Sequence, residues 1–229
     1  TDKSIKFMKK QVVAERPFYL QLSHYANHIW HDSLKKTRVK YKKLPKGKKY
    51  EKKDGMPEEE IPIAMYNHGW IINYAAMLDD VDRAIGTLLE SIDDLGIREN
   101  TYFIFTSDNG AASSPLLDSD GNSVLKNWFD RVGYNTDYES LGEKGSWVAI
   151  GPGNASIANS PLLYYKFHAN EGGLRVPTIV EWPKRIRPRV SNFPSGTVDI
   201  FPTMIDVARL APNSINRVHD GISIADVFE

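Results

Sequence analysis

The feature that most constrains the fold is a long amphipathic segment followed closely by a short apolar one. Between residues 71 and 95, apolar residues recur at spacings of three and four while acidic residues occupy the other faces, which predicts a helix. Gly96 predicts where this helix ends, because glycine readily adopts the left-handed conformation at the C′ position. Residues 102–106 (YFIFT) are apolar on both faces, as a central strand is.

Further segments extend this alternation of helix and strand. Residues 17–23 (PFYLQLS) alternate as a strand does, and residues 174–182 form a second apolar strand in which Pro177 indicates the start or an edge. Asp199 is predicted to cap a helix over residues 200–210. Residues 111–159 are rich in Gly, Ser, Asn and Asp and are predicted to be mostly loop. Together these segments favour an α/β layered fold.

Composition excludes several classes of protein. The chain has 229 residues, 41% of them hydrophobic and 25% charged with zero net charge, which excludes a wholly disordered chain. The absence of cysteine excludes a disulfide, a thiolate metal site and a cysteine nucleophile within these residues. No apolar run approaches the ~18 residues of a membrane span. Oligomeric state does not follow from the sequence.

One segment carries most of the positive charge. Residues 34–54 contain eleven Lys or Arg and two acidic residues, and three glutamates follow at residues 58–60. We interpret residues 34–60 as a long solvated loop or insertion. The alternative is a binding patch for a polyanion such as a sulfated polysaccharide. Nucleic acid is disfavoured, because Tyr41 and Tyr50 are the only aromatic residues there that could stack on bases.

Asp108 and Asn109 follow directly at the carboxyl end of the apolar strand, where α/β sheets build their sites. An adjacent carboxylate and carboxamide offer hard oxygen ligands, which suit Ca²⁺ or Mg²⁺ better than Zn²⁺. Alone, Asp-Asn-Gly is also a common turn.

Other residues could take part in catalysis or binding, but each is weak evidence when taken alone. His28 lies just past the first predicted strand and could act as an acid or a hydrogen-bond donor. Zinc binding by the three histidines within residues 24–31 is disfavoured, since cysteine and an HExxH motif are both absent. Lys166 alone is an ordinary surface lysine. Residues 171–173 (EGG) indicate a tight turn where the backbone closely approaches another group.

Taken in order, these segments resemble the sulfatase family, within the alkaline phosphatase-like superfamily of metal-dependent ester hydrolases. The resemblance extends from about residue 17 to residue 223 and is carried by residues 17–28 (PFYLQLSHYANH), 74–89, 101–110 (ending TSDNG), 166–177 (KFHANEGGLRVP), 198–208 and 220–223 (DGIS). Each motif is modest by itself, and their common order makes the resemblance specific.

The resemblance implies a fold and a set of roles. The fold would be a mostly parallel or mixed central sheet flanked by helices. Asp108 and Asn109 would be ligands of a divalent cation, usually Ca²⁺ with Mg²⁺ as the alternative. Lys166 and His28 would contact the sulfate group or the leaving oxygen of a sulfate ester, such as a sulfated carbohydrate. A periplasmic, secreted or lysosomal location is also implied.

Two parts of the family pattern do not occur in these residues. Members carry Cys or Ser in a C/S-x-P-x-R motif, whose first residue is oxidised to formylglycine, and an Asp-Asp pair near the N-terminus. Residues 79–80 and 93–94 are Asp pairs, but both lie in the predicted helix. We therefore expect residues 1–229 to be the second half of a sulfatase catalytic domain, without the small C-terminal domain and inactive alone. The alternatives are a phosphodiesterase or phosphonate monoester hydrolase, and a non-catalytic remnant that binds sulfated glycans.

Overall fold

The computed structural model describes residues 1–28, 31, 33–42, 69–113, 128, 131–135, 145, 150–211 and 218–228. The helices of this part are α1 (Asp2–Val13), α2 (Lys35–Tyr41), α3 (Gly69–Asp94), α4 (Gly151–Asn159), α5 (Glu171–Leu174), α6 (Ile200–Val207) and α7 (Ala225–Phe228). The strands are β1 (Phe103–Thr106) and β2 (Thr178–Glu181), and short 3₁₀ turns occupy Arg98–Asn100 and Thr197–Asp199.

The chain divides into two compact units. The first consists of Thr1–Ser91 and Asn109–Val176. It holds α1, α2, most of α3, α4 and α5. The second consists of Ile92–Asp108 and Pro177–Glu229 and holds both strands, α6 and α7. Buried apolar side chains lie mainly along α1, α3 and α4: Met8, Ala76, Met77, Leu88, Ile92, Ile150 and Ala155.

Helix α3 forms and ends as its sequence predicts. Gly96 has φ +67°, in the left-handed region. The Gly96 N–H donates to the carbonyl of Asp93 at 2.9 Å, and the Ile97 N–H donates to that of Ile92 at 3.2 Å. These two bonds are the Schellman motif, which satisfies carbonyls that the helix end would otherwise leave unpaired.

Strands β1 and β2 pair antiparallel, with Phe103 opposite Glu181 and Thr106 opposite Thr178. Both strands were predicted, but the second begins at Thr178, directly after Pro177, and not at Leu174, which is the last residue of α5. Within the described residues this pair is the whole sheet, so parallel pairing is not seen there. The strand predicted over residues 17–23 is wrong, because that segment pairs with no other strand in the part described.

The prediction of a solvated loop over residues 34–60 is wrong at its start, where α2 forms; residues 43–60 lie outside the described part. Two acidic side chains of α3 explain α2. Asp80 accepts hydrogen bonds from the Leu34 N–H at 2.8 Å and the Thr37 hydroxyl at 2.6 Å. Asp79 accepts from the Lys40 ammonium at 2.5 Å, a bond that lowers the pKa of the Asp79 carboxyl.

The loop predicted over residues 111–159 also contains a helix, α4; residues 114–127, 129–130, 136–144 and 146–149 lie outside the described part. Asp199 does precede a helix, α6, but its side chain does not cap it. The carboxylate accepts the Gly196 N–H at 2.8 Å and the Ile222 N–H at 2.9 Å instead. It therefore closes the 3₁₀ turn and holds the chain before α7.

Candidate functional site

His28 and Lys166 lie side by side in the first unit, although 138 residues separate them in the sequence. The Nζ atom of Lys166 is 3.5 Å from the Nε2 atom of His28, at the outer limit of a hydrogen bond. An ammonium group has only donors, so a hydrogen bond here requires the lone pair of Nε2, with the imidazole proton on Nδ1. His28 is exposed and Lys166 is half-buried. The pair forms a solvent-facing point at which an anionic group could be held.

Backbone hydrogen bonds fix the position of the main chain at Lys166. Its N–H donates to the carbonyl of Ala111 at 3.0 Å. One residue earlier in that segment, the Gly110 N–H donates to the carbonyl of Gly173 at 3.1 Å. The segment 109–111, which begins at the second predicted metal ligand, is therefore bonded to both ends of the segment 166–173.

Glycine is required where these segments meet. A Cβ atom on Gly110 would lie 1.8 Å from the carbonyl oxygen of Gly172, and one on Gly172 would lie 2.0 Å from that of Tyr164. A Cβ atom on Gly173 would lie 2.1 Å from the carbonyl oxygen of His168. The predicted close backbone approach at residues 171–173 is thus confirmed. We call this contact of Gly110 with Gly172 and Gly173 the glycine crossing.

The side chain of Asn159 also joins these segments. Its Oδ1 atom accepts the Ala111 N–H at 3.1 Å. Its Nδ2 group donates to the carbonyl of Gly172 at 2.8 Å and to that of Tyr164 at 3.0 Å. Sequence analysis missed this residue, because it lies in a segment predicted to be loop and belongs to no motif named above.

Asn109 is half-buried and Asp108 is exposed. The Nδ2 group of Asn109 donates to the carbonyl of Gly110 at 3.0 Å, which distinguishes the oxygen of its carboxamide from the nitrogen. A carboxylate and an amide oxygen fit part of a Ca²⁺ coordination shell, which consists of roughly six to eight oxygen ligands. Among the residues described, no cluster of three or more Asp, Glu or His side chains could hold a metal ion. Asp108 and Asn109 would therefore supply only part of such a shell within the described residues.

The backbone around Lys166 is strained. Tyr164 and Phe167 have φ values of +64° and +78°, a region that bulky side chains rarely occupy. Such strain is concentrated at functional sites in proteins. Lys166 lies over the ring of Phe167 at 5.4 Å, and Phe167 is 85% exposed. An open aromatic surface therefore lies directly beside the Lys166 ammonium.

The three histidines of residues 24–31 differ in their surroundings. His24 and His28 are exposed, whereas His31 is only 4% exposed and packs edge-on against Tyr74 with ring centroids 5.3 Å apart. Burial lowers the pKa of His31 to about 4, because the charged form would lose its hydration. His31 is thus a neutral interior side chain.

Comparison with known proteins places the chain among sulfatases. A family model described as Sulfatase matches residues 1–210. An uncharacterized sulfatase of Schizosaccharomyces pombe is 34% identical over 60% of this chain and 24% of its own length. The arylsulfatase of Klebsiella aerogenes is 31% identical over 61% of this chain and 30% of its own length. The N-acetylgalactosamine-6-sulfatase of Canis lupus familiaris is 28% identical over 96% of this chain and 30% of its own length.

Solved structures show the same fold. The crystal structure of Ps i-CgsB matches with a TM-score of 0.61 and 24% identity, over 99% of this chain and 37% of that one. A protein from work on glycosaminoglycan metabolism by Bacteroides thetaiotaomicron matches with a TM-score of 0.61 and 18% identity, over 99% of this chain and 38% of that one. The matches confirm the α/β, alkaline phosphatase-like fold class; the layered parallel or mixed sheet stays a prediction.

Two further findings concern the extent of these matches and the helices of the chain. The matched region is about a quarter to a third of the curated relatives named here, at 24% to 30% of their length. No helix in the described part of the chain is long and apolar enough to cross a membrane.

Proposed function

This chain belongs to the sulfatase family, and from that premise we propose that it forms the second half of the catalytic domain of a sulfuric ester hydrolase. The observation that carries the proposal is the 3.5 Å contact between Lys166 Nζ and His28 Nε2. A cationic donor and an imidazole at one exposed point suit a sulfate group, whose oxygens need hydrogen bonds as the ester S–O bond breaks.

Each residue has a proposed role. Lys166 donates hydrogen bonds to a non-bridging oxygen of the sulfate and neutralises part of its charge. His28 directs a donor at the leaving oxygen, which requires a proton as it departs. Because His28 is exposed, solvent can return that proton after each turnover.

Asp108 and Asn109 are the proposed ligands of a Ca²⁺ ion, with Mg²⁺ as the alternative. When bound, such a cation would polarise the sulfate oxygens. Further ligands, and the formylglycine nucleophile, are proposed to come from a segment outside these residues. The nitrogen of the Asn109 carboxamide is bonded to the Gly110 carbonyl at 3.0 Å, which identifies the other atom as the oxygen that would be the ligand.

The proposed substrate class is a sulfated carbohydrate. The open face of Phe167 beside Lys166 suits the apolar face of a sugar ring, and the basic helix α2 adds positive charge to the first unit. The periplasmic, secreted or lysosomal location remains a prediction from the family resemblance.

The test is hydrolysis of sulfate esters by the complete natural protein with added Ca²⁺ and after chelation. We expect turnover that is lost on chelation and restored by Ca²⁺. Lys166→Ala and His28→Ala should each lower kcat by roughly 10²- to 10⁴-fold. Lys10→Ala, which removes an exposed lysine of α1, is the matched control and should leave kcat unchanged.

Three results would contradict the proposal. Preferential hydrolysis of phosphate diesters or phosphonate monoesters would favour that branch of the superfamily instead. Salt-sensitive binding of sulfated glycans with no hydrolysis would favour the non-catalytic alternative. Hydrolysis by residues 1–229 alone would overturn the proposal that the nucleophile lies elsewhere.

A further inference from the structure

We propose that Asn159 is a positioning residue, whose carboxamide sets the distance between the metal-ligand segment at Asn109 and the sulfate-binding Lys166. This inference rests on the function proposed above and adds a residue to it. It starts from one fact, that a single side chain bonds to both backbone segments that carry those two residues.

The side-chain amide of Asn159 uses both of its N–H donors. Both protons of Nδ2 are directed at carbonyl oxygens, those of Gly172 at 2.8 Å and Tyr164 at 3.0 Å. The Oδ1 atom accepts the Ala111 N–H at 3.1 Å. Among the side chains, only Asn and Gln combine two N–H donors and a carbonyl acceptor in one plane. The pattern therefore specifies an amide at this position.

The groups that Asn159 holds are close in sequence to the proposed site. Ala111 is two residues from Asn109, and its carbonyl accepts the Lys166 N–H at 3.0 Å. Tyr164 is two residues from Lys166 on the other side of that bond. The amide of Asn159 thus closes a loop of hydrogen bonds that runs from the metal-ligand segment to Lys166 and back.

The glycine crossing makes this loop sensitive to small shifts. Gly110 and Gly172 are so close that no Cβ fits between them. Without the amide, three backbone groups would need water, which would have to enter beside this contact. Segments 109–111 and 163–173 would then separate, and Asn109 would move relative to Lys166. Loss of groups that orient metal ligands typically costs roughly 10- to 100-fold in metal affinity or activity.

The experiment compares variants of the complete protein. Asn159→Ala removes all three bonds. Asn159→Gln keeps the amide but moves it by one methylene, at a side chain that is only partly buried. Asn154→Ala is the matched control, since the Asn154 amide lies on the same helix and donates only to the Ile150 carbonyl, at 2.9 Å, among the bonds described here. For each variant we would measure kcat, KM, Ca²⁺ affinity by calorimetry, and amide exchange at Ala111.

We expect Asn159→Ala and Asn159→Gln to lower kcat and weaken Ca²⁺ binding by roughly 10- to 100-fold. These losses should persist well below the unfolding temperature, where a purely structural role would leave folded molecules unaffected. Exchange at Ala111 should accelerate, and the Asn154→Ala variant should match the natural protein in every readout. If Asn159→Ala does not fold, Asn159→Gln decides the question.

The outcomes separate this inference from the proposed function. One outcome is that the natural protein hydrolyses sulfate esters and that both Asn159 variants keep its kcat and Ca²⁺ affinity to within about two-fold. That outcome refutes the positioning role, while the proposed function stands. If the natural protein has no sulfatase activity, the proposed function fails first and the positioning role fails with it. Unchanged exchange at Ala111 would refute the hydrogen bond on which the inference depends.

Discussion

Replacing Gly110 with alanine tests the glycine crossing directly. The new Cβ atom would lie 1.8 Å from the carbonyl oxygen of Gly172 and 2.9 Å from its carbonyl carbon. Ordinary carbon–oxygen contacts are no shorter than about 3.3 Å. The two segments would therefore have to separate by about 1.5 Å, since both contacting groups are backbone and neither can rotate away.

The magnitude follows from what that separation breaks. The Gly110 N–H bond to the Gly173 carbonyl, 3.1 Å long, would exceed hydrogen-bonding distance. The bond from Asn159 to the Gly172 carbonyl, at 2.8 Å, would be disturbed as well. Overpacking costs about 1–3 kcal/mol and each lost hydrogen bond about 0.5–1.5 kcal/mol. We expect Gly110→Ala to lower the free energy of unfolding by about 2–5 kcal/mol, a large share of the stability of a typical domain.

Gly86→Ala is the matched control. Gly86 lies inside α3, and a Cβ atom there meets nothing within 4 Å. Alanine is favoured over glycine in a helix by up to about 1 kcal/mol, so this variant should be slightly more stable than the natural protein. The assay is urea unfolding followed by tryptophan fluorescence, with comparison of midpoints at equal slope. If Gly110→Ala were as stable as Gly86→Ala, the two segments could not be in contact, and the geometry proposed for the site would be wrong.

Three other predictions concern the rest of the chain. Burial lowers the pKa of His31 from 6.5 to about 4, so the native state binds fewer protons than the unfolded state between these values. The free energy of unfolding should therefore fall by about 3 kcal/mol as the pH is lowered from 6.5 to about 4, and His31 should have no such effect above pH 6.5. Urea titrations of a His31→Leu variant over the same pH range should not show this loss. A double-mutant cycle on Arg98 and Glu181, joined at 3.0 Å and each about one third exposed, should give a coupling of about 1 kcal/mol in thermal unfolding. Asp80→Ala should lower stability by about 1–2 kcal/mol and speed amide exchange in α2, whereas Asp82→Ala on an exposed face of α3 should do neither.

The elements that sequence reasoning predicted correctly are those determined by neighbouring residues. The periodicity of residues 71–95 is enough to form α3, and Gly96 alone is enough to end it. Strands β1 and β2 follow from short apolar runs. In each of these cases the pattern lies within one segment, so the sequence contains the cause.

The errors occur where a distant partner decides. Helix α2 is stabilised by Asp80, which lies 46 residues from Leu34, and nothing within the basic segment reveals that partner. Residues 17–23 alternate correctly for a strand, but alternation does not supply a strand to pair with. The antiparallel pairing of β1 with β2 likewise depends on the path of the chain between them.

The candidate site shows the same division. His28, Lys166, Asp108 and Asn109 were identified only because their motifs resemble a family, since none of them is distinctive alone. Asn159 was missed because its role consists of bonds to backbone groups, which leave no pattern of residue types in the sequence.

The geometry also indicates where the precision of the proposed site resides. His28 is exposed, and lysine has a long flexible side chain whose ordering costs up to about 2 kcal/mol. The side chains themselves are therefore not what fixes the site before substrate binds. What is fixed is the backbone from which the Lys166 side chain starts, through the glycine crossing and the Asn159 amide. A sulfate group would then order the Lys166 side chain by its charge, within a frame that is already set. It follows that substitutions in the frame should lower kcat more than they raise KM, because they displace groups that act together on the reacting ester rather than removing one contact to it.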